Sequence, residues 1–108
     1  MPQCAVPKFH VDDYVVEVLM RDLVRHDRNP SAFVVYLWLW RQTHGRDRER
    51  AGASLQAIAS ETGLSKSSVQ TALRRLRARG LIASTRSGPT TPAFFEVKTP
   101  WREPAPSA

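Results

Sequence analysis

The chain has 108 residues, 42% of them apolar, and a net charge of +6 at neutral pH. This length fits one small domain with a hydrophobic core. The single cysteine, Cys4, excludes a disulfide framework or a cysteine-based zinc site within one chain. The longest apolar run, residues 32–40, is too short to span a membrane. No signal-peptide pattern opens the sequence, so we expect a cytoplasmic, nucleoid-associated protein.

The positive charge is concentrated in the second half of the chain. Residues 1–30 carry four basic and five acidic side chains, whereas residues 54–88 carry six basic side chains and one acidic side chain. A small domain with this distribution is expected to bind a polyanion, and nucleic acid is favoured over an anionic membrane surface.

The first 27 residues predict an arm followed by a helix. Residues 1–10 contain two prolines and little hydrophobic pattern, which predicts a flexible arm. A wide apolar stripe then predicts a helix over residues 12–27, with Asp12 or Asp13 as its N-cap.

A second helix is predicted from Pro30 to about Thr43. Asn29 is a suitable N-cap, and proline fits the first helical position. Apolar side chains lie almost all round this helix, which is typical of a central buried helix. A buried strand over residues 33–40 is the competing interpretation. We expect Gly45 to stop the helix and residues 45–53 to form a loop.

Two short helices follow, over residues 55–62 and 66–79. Ser54 and Ser65 stand at their N-cap positions, and Gly63 lies in the short turn between them. Two short helices joined in this way form a helix-turn-helix.

The remaining sequence predicts a hairpin and a tail. Gly80 ends the last helix, and residues 81–86 and 94–98 read as two strands around a proline-containing turn. Residues 99–108 contain three prolines and small side chains, which predicts a disordered tail.

The helix over residues 66–79 has two different faces on a helical wheel of about 100° per residue. Its apolar face consists of Val69, Ala72, Leu73 and Leu76. The opposite face carries Ser67, Thr71, Arg74 and Ala78, with Gln70 and Arg75 at its edges. Hydroxyl and amide groups therefore come first and arginine last, an order that suits a helix entering the major groove by its N-terminal part.

Glutamine can pair with adenine and arginine with guanine through two hydrogen bonds each. The hairpin adds a second contact to the backbone or to a neighbouring minor groove. The candidate DNA-binding residues of the recognition helix are Ser65, Lys66, Ser67, Ser68, Gln70, Thr71, Arg74 and Arg75. The candidate residues of the hairpin are Arg86 and Ser87.

The segment "SLQAIASETGLSKSSVQTALRRLRARGLI" resembles a winged helix-turn-helix domain. Its pattern is similar to "S-l-x-x-[IL]-A-x-x-t-G-[LV]-S-x-x-[ST]-V-x-x-[AL]-[LI]-x-x-L-x-x-x-G-L-[IV]". The resemblance covers residues 29–98 and implies a mainly α fold with a small β-hairpin. We therefore expect a three-helix core, an extra N-terminal helix and a wing. The domain would span residues 11–98, with the helix-turn-helix at 54–79 and the wing at 81–98.

The resemblance extends to two groups of proteins with different roles. One comprises bacterial regulators of the multiple-antibiotic-resistance and gluconate-operon types, and the other comprises plasmid and phage replication initiators. It implies sequence-specific binding of double-stranded DNA, by a dimeric transcriptional regulator or by an initiator that marks an origin. A protein-interaction module without DNA binding is the alternative from a different class. RNA binding is disfavoured because the helix face lacks exposed aromatic side chains.

Other side chains give weaker signals. Arg77 and Arg79 lie at the sides of the recognition helix and suit phosphate contact or simple solubility equally. Two acidic side chains within residues 46–50 partly neutralise the positive charge of the arginines there. Residues 12–27 and the region of Trp38 and Trp40 are the candidate homodimer interface. We expect no metal, cofactor, small-molecule ligand or catalytic site.

Overall fold

The computed structural model describes residues 7–86, 88 and 92–101. An N-terminal helix over residues 13–26 precedes three α-helices and three strands. The α-helices are α1 (Pro30–Gln42), α2 (Leu55–Thr62) and α3 (Lys66–Ala78). The strands are β1 (Ala51–Ala53), β2 (Ile82–Thr85) and β3 (Ala93–Val97). This order confirms the predicted winged helix-turn-helix with a three-helix core and an extra N-terminal helix.

The N-terminal helix forms where the apolar stripe predicts it, but its hydrogen bonding differs. Two stretches, Val15–Leu19 and Asp22–His26, are π-helical, a form that proteins use rarely. Val15, Leu19 and Leu23 recur every four residues, so they share one face. All three are buried in the common core. The helix is therefore held by packing on one side.

α1 begins as the sequence predicts. The Oδ1 atom of Asn29 accepts a hydrogen bond from the backbone N–H of Ala32 at 3.2 Å, and Pro30 is the first helical residue. An N-cap side chain and a proline at the first position both stabilise the start of a helix, so they favour a helix over the competing strand. α1 contacts the N-terminal helix, α2, α3 and β3, and is thus the central helix of the domain.

α1 ends within one residue of the predicted position, but Gly45 does not form its stop. The helix stops at Gln42, before Gly45, and the hydroxyl of Thr43 donates to the carbonyl of Leu39 at 2.8 Å. Gly45 serves a different purpose, since a Cβ there would lie 2.9 Å from the Cβ of Phe9. The glycine allows the N-terminal segment to approach the end of α1 closely.

A third strand lies in the predicted loop of residues 45–53. β1 pairs antiparallel with β3, and β2 pairs with the other side of β3, so the order is β1-β3-β2. Ala51 and Ile82 pair with Phe95 and Val97, respectively. An Ala-Gly-Ala strand has little intrinsic β-propensity. It forms because β3 offers a free edge, which sequence periodicity does not reveal.

Both ends of the described chain are tied to the core. The indole of Trp101 stacks between Tyr14, at 4.7 Å between ring centroids, and Trp40, at 6.2 Å. Its Nε1 donates to a carboxylate oxygen of Asp12 at 2.8 Å. The sequence placed Trp101 in the disordered tail, whereas it is packed, because an aromatic ring offers a large apolar area to bury.

The predicted arm is packed at its end as well. The Nε1 of Trp40 donates to the carbonyl oxygen of His10 at 2.7 Å. The other predicted residues of the arm and tail, 1–6 and 102–108, lie outside the described residues, and Cys4 is among them. No helix in the described ranges is both long and apolar enough to cross a membrane.

Candidate nucleic-acid interface

The turn of the helix-turn-helix follows from two local features. Gly63 ends α2 with φ of +80°, a backbone conformation that side chains with a Cβ rarely adopt. The Oγ of Ser65 then accepts a hydrogen bond from the backbone N–H of Ser68 at 3.1 Å and starts α3. Both residues have the roles that the sequence predicted, so the position and length of α3 are determined locally.

α3 has one buried and one exposed face, as the helical wheel predicted. Its buried side chains are Val69, Ala72, Leu73 and Leu76. The other face is exposed and carries Lys66, Ser67, Gln70, Thr71, Arg74 and Arg75. Because the buried face packs on α1, α2 and β2, the exposed face has a fixed direction relative to the wing.

The serines at the start of α3 are less free than the sequence suggested. The hydroxyl of Ser65 lies 3.2 Å from that of Ser67 and 3.0 Å from that of Ser68. Ser65 also caps the helix, and Ser68 is half-buried. Ser65 and Ser68 therefore shape the helix start. Ser65 and Ser67 are both exposed, and the hydroxyl of Ser67 is in contact with that of Ser65.

Arg74 lies on a ridge between two clefts. It lines a cleft of about 430 Å³ on the side of the sheet and another of about 230 Å³ on the side of α1. We call these the wing cleft and the turn cleft. Among the described residues, Arg74 has no hydrogen bond or ion pair to another side chain. Its cation is therefore available to a ligand.

The wing cleft separates α3 from the sheet. Its floor is apolar and includes Leu73 and Phe95, and its rim carries Arg74, Arg77 and Arg86. The Nη1 of Arg77 donates a long hydrogen bond of 3.5 Å to the hydroxyl of Ser84. Three arginine side chains therefore line one concave surface and give it positive charge. Ser87 lies outside the described residues.

The turn cleft lies on the opposite side of α3. Asn29, the N-cap of α1, forms one wall, and α3 forms the other through Thr71, Arg74, Arg75 and Ala78. The N-terminal half of the chain therefore borders the exposed face of α3, although its own net charge gave no reason to expect this.

Arg79 is held in an ion pair with Asp27. The Nε and Nη2 of Arg79 donate to the two carboxylate oxygens at 2.9 and 2.8 Å, and the side chain of Asp27 is only 7% exposed. These hydrogen bonds lower the pKa of Asp27 to about 2 and raise the pKa of Arg79. The edge of Arg79 formed by Nε and Nη2 is occupied by Asp27, and its Nη1 lies 3.7 Å from a carboxylate oxygen of Asp22, so phosphate contact by Arg79 is disfavoured.

Arg75 lies at the edge of the same pair. Its Nε is 4.0 Å from a carboxylate oxygen of Asp27, and nearly half of its side chain is exposed. The sequence placed Arg75 and Arg79 on one helix with similar charge. The structure separates them, since Arg79 is committed to Asp27 while Arg75 retains an exposed guanidinium.

Sequence reasoning did not assign Asn29 to the site and left Arg77 undecided. Arg77 follows Arg74 by three residues, and residues at this spacing are neighbours on a helix surface. That signal could have placed Arg77 beside Arg74. Asn29 has no comparable signal, because only tertiary packing brings it next to α3.

The candidate dimer surface requires one correction. Trp40 is 1% exposed and belongs to the core, so it cannot line an interface between copies. Trp38 is half-buried and borders an apolar cleft with Phe33 and Val34. The N-terminal helix presents a separate exposed stripe, formed by Val16, Met20 and Val24.

Comparison with known proteins places these elements in a family. The family model described as "Helix-turn-helix domain" matches residues 29–82, half of the chain, and the match extends from the N-cap of α1 to the first residue of β2. No curated protein sequence matches the chain. Helix-turn-helix domains typically bind DNA and are typically not enzymes. The chain belongs to the helix-turn-helix domain family.

Proposed function

We propose that the chain binds double-stranded DNA sequence-specifically and that α3 enters the major groove. The observation that carries this proposal is the position of Arg74 on a ridge of α3 between two concave surfaces, where it pairs with no other side chain of the described residues. A major groove about 12 Å wide accommodates one helix between its two phosphate backbones. A helix with clefts on both sides matches that shape.

The exposed face supplies groups suited to base edges. Arg74 can donate two parallel hydrogen bonds to guanine, and Gln70 can pair in a similar way with adenine. Thr71 and Ser67 add hydroxyl groups that accept or donate, and the Thr71 methyl can contact a thymine methyl. Lys66, at the first position of α3, supplies a cation that can contact a phosphate.

The wing cleft supports a contact to one phosphate backbone. Arg77 and Arg86 approach it from α3 and from the end of β2, respectively. Arginine binds phosphate through two parallel hydrogen bonds, which positions the protein as well as attracting it. The predicted second wing residue, Ser87, remains an expectation. These contacts would fix the register of α3 without reading sequence.

We further propose that the protein acts as a homodimeric transcriptional regulator. Val16, Met20 and Val24 follow one another at four-residue spacing, and each residue is between 39% and 48% exposed. Three exposed apolar residues on one stripe support pairing with the same stripe of a second copy, as in many symmetric dimers. Dimers of this class bind half-sites about 34–36 Å apart.

Selection of bound sequences from a random double-stranded DNA library tests the proposed function. We expect one enriched motif, with inverted half-sites if the protein is a dimer, and binding that weakens steeply with salt. Mapping the same motif in the source genome separates the two roles, since operators beside promoters indicate a regulator and clustered repeats at an origin indicate an initiator. Failure to enrich any motif, with no salt-sensitive retention of duplex DNA, would contradict the proposal.

A further inference from the structure

The turn that joins the N-terminal helix to α1 lies against the exposed face of α3. Asn29, in this turn, lines the turn cleft together with Thr71 and Arg74. The backbone N–H of Asn29 donates to the carbonyl of Leu23 at 2.8 Å, which ties the turn to the N-terminal helix. The neighbouring Asp27 is bound to Arg79 by two hydrogen bonds. Hydrogen bonds to the N-terminal helix and to Arg79 therefore hold this wall of the cleft in place.

The side chain of Asn29 has a defined orientation. Its Oδ1 accepts from the backbone N–H of Ala32, so its Nδ2 group is the free edge of the amide. In the part of the chain that the structure describes, Nδ2 donates to no protein atom. The cleft therefore contains an amide donor whose hydrogen-bonding capacity the protein does not use.

Cations face this donor across the cleft. Arg75 and Arg74 both line it, and the hydroxyl of Thr71 adds a further donor. Within the described residues, the acid that reaches one of these cations is Asp27, 4.0 Å from the Nε of Arg75. Its two carboxylate oxygens are occupied by Arg79, so most of its charge is compensated before a ligand arrives. The cleft is consequently rich in donors and favourable to an anion.

We propose that the turn cleft binds a backbone phosphate of the DNA, with Asn29 and Arg75 as its donors. This inference rests on the proposed function, because it requires α3 to lie in the major groove. The wing cleft then faces one phosphate backbone of that groove and the turn cleft faces the other, with Arg74 between them. The turn before α1 becomes a second DNA-positioning element, built by a segment whose own net charge is not positive.

The substitution Asn29→Asp tests this contact without removing the helix cap. Aspartate and asparagine are comparable N-caps, so α1 keeps its start, while the free donor becomes an acceptor with negative charge. Asn29→Ser also preserves a cap and removes the amide without adding charge. Arg46→Gln is the matched control for charge. It lowers the net charge by the same one unit beyond the far end of α1, about 20 Å away.

The affinity of each variant for the selected duplex is measured by fluorescence anisotropy at several salt concentrations, and thermal unfolding verifies the fold. We expect Asn29→Asp to weaken binding by about tenfold or more and Asn29→Ser by about threefold. The slope of log affinity against log salt should fall by about one for Asn29→Asp. Arg46→Gln should change neither quantity beyond about twofold.

Two results separate the failure of this inference from the failure of the proposed function. If the wild type binds its duplex and Arg74→Ala weakens it, but Asn29→Asp matches Arg46→Gln, the turn cleft does not hold a phosphate. If the wild type binds no duplex at any salt concentration, the proposed function fails, and the inference fails with it.

Discussion

The carboxylate of Asp27 accepts two hydrogen bonds from the guanidinium of Arg79, from Nε at 2.9 Å and from Nη2 at 2.8 Å. The two residues are 52 positions apart in sequence. One stands at the end of the N-terminal helix and the other at the end of α3. The pair therefore joins the extra helix to the recognition helix and sets their relative position.

Removing the acid should destabilise the domain. Asp27→Asn leaves the half-buried guanidinium of Arg79 without its two charged acceptors, and we expect the free energy of unfolding to fall by about 1–3 kcal/mol. Urea denaturation followed by circular dichroism measures this. Asp22→Asn is the graded control, since Asp22 is more exposed and 3.7 Å from Arg79. An equal loss for both variants would contradict a special role for Asp27.

The same pair should make stability depend on acid pH. The pKa of Asp27 is about 2 in the folded protein, below the ordinary value of 3.8. A lowered pKa stabilises the folded state above the unfolded-state value, and this contribution is lost as the pH falls through the folded-state value. The wild type should therefore lose more stability than Asp27→Asn between about pH 5 and pH 2. The free energy of unfolding of both proteins is measured against pH. If the two curves run parallel over this range, Asp27 is not the source of the acid dependence.

Arg77 and Arg79 should behave differently although they lie two residues apart. Arg77→Ala should weaken DNA binding about equally for all sequences and lower the salt slope by about one, with little change in stability. Arg79→Ala should instead lower the unfolding free energy by about 1–3 kcal/mol, because it removes two hydrogen bonds to the largely buried carboxylate of Asp27. Anisotropy and urea denaturation of both variants test the contrast. Similar losses of affinity at unchanged stability would show that Arg79 also contacts DNA.

Arg74 should determine sequence preference, whereas Lys66 should not. Arg74→Ala should cost about 1–3 kcal/mol on the preferred site and relax the preference at one base pair. Lys66→Ala should weaken preferred and unrelated duplexes alike and reduce the salt dependence. Competition between matched and mismatched duplexes measures the difference. An Arg74→Ala variant that retains the full preference would exclude direct base reading by this side chain.

The exposed stripe of the N-terminal helix should govern association. Met20→Glu places a charge at the centre of the proposed dimer interface and should convert a dimer into a monomer, as measured by sedimentation velocity. Val34→Glu is a matched control, because Val34 is exposed to the same extent but lies on α1 beside Trp38. If Val34→Glu dissociates the dimer and Met20→Glu does not, the interface lies at the apolar cleft beside Trp38 instead.

Local chemistry explains how much of the site could be predicted. Ser65 and Gly63 control the start of α3 through hydrogen bonds and backbone angles within a few residues. The two faces of α3 follow from a fixed rotation per residue. Exposure of Gln70, Thr71 and Arg74 could therefore be inferred before any tertiary contact was known.

Contacts between distant segments could not be predicted in this way. The sequence makes the region of Trp38 and Trp40 a candidate interface without saying which ring is exposed, and only packing shows that Trp40 is in the core. Ala51–Ala53 becomes a strand because β3 offers it an edge. Trp101 is held by stacking on Tyr14 and Trp40. Each outcome depends on a partner dozens of residues away.

The sequence by itself determined the helix-turn-helix, because caps, glycine turns and helical periodicity act over a few residues. Tertiary structure alone decided which arginines are free. Arg79 is paired with Asp27, Arg74 is paired with no acid in the part of the chain that the structure describes, and Asn29 faces Arg75 across a cleft. These differences arise because α1 packs against both α3 and the N-terminal helix, which brings Asp27 and Asn29 beside α3, and no local pattern of charges contains that information.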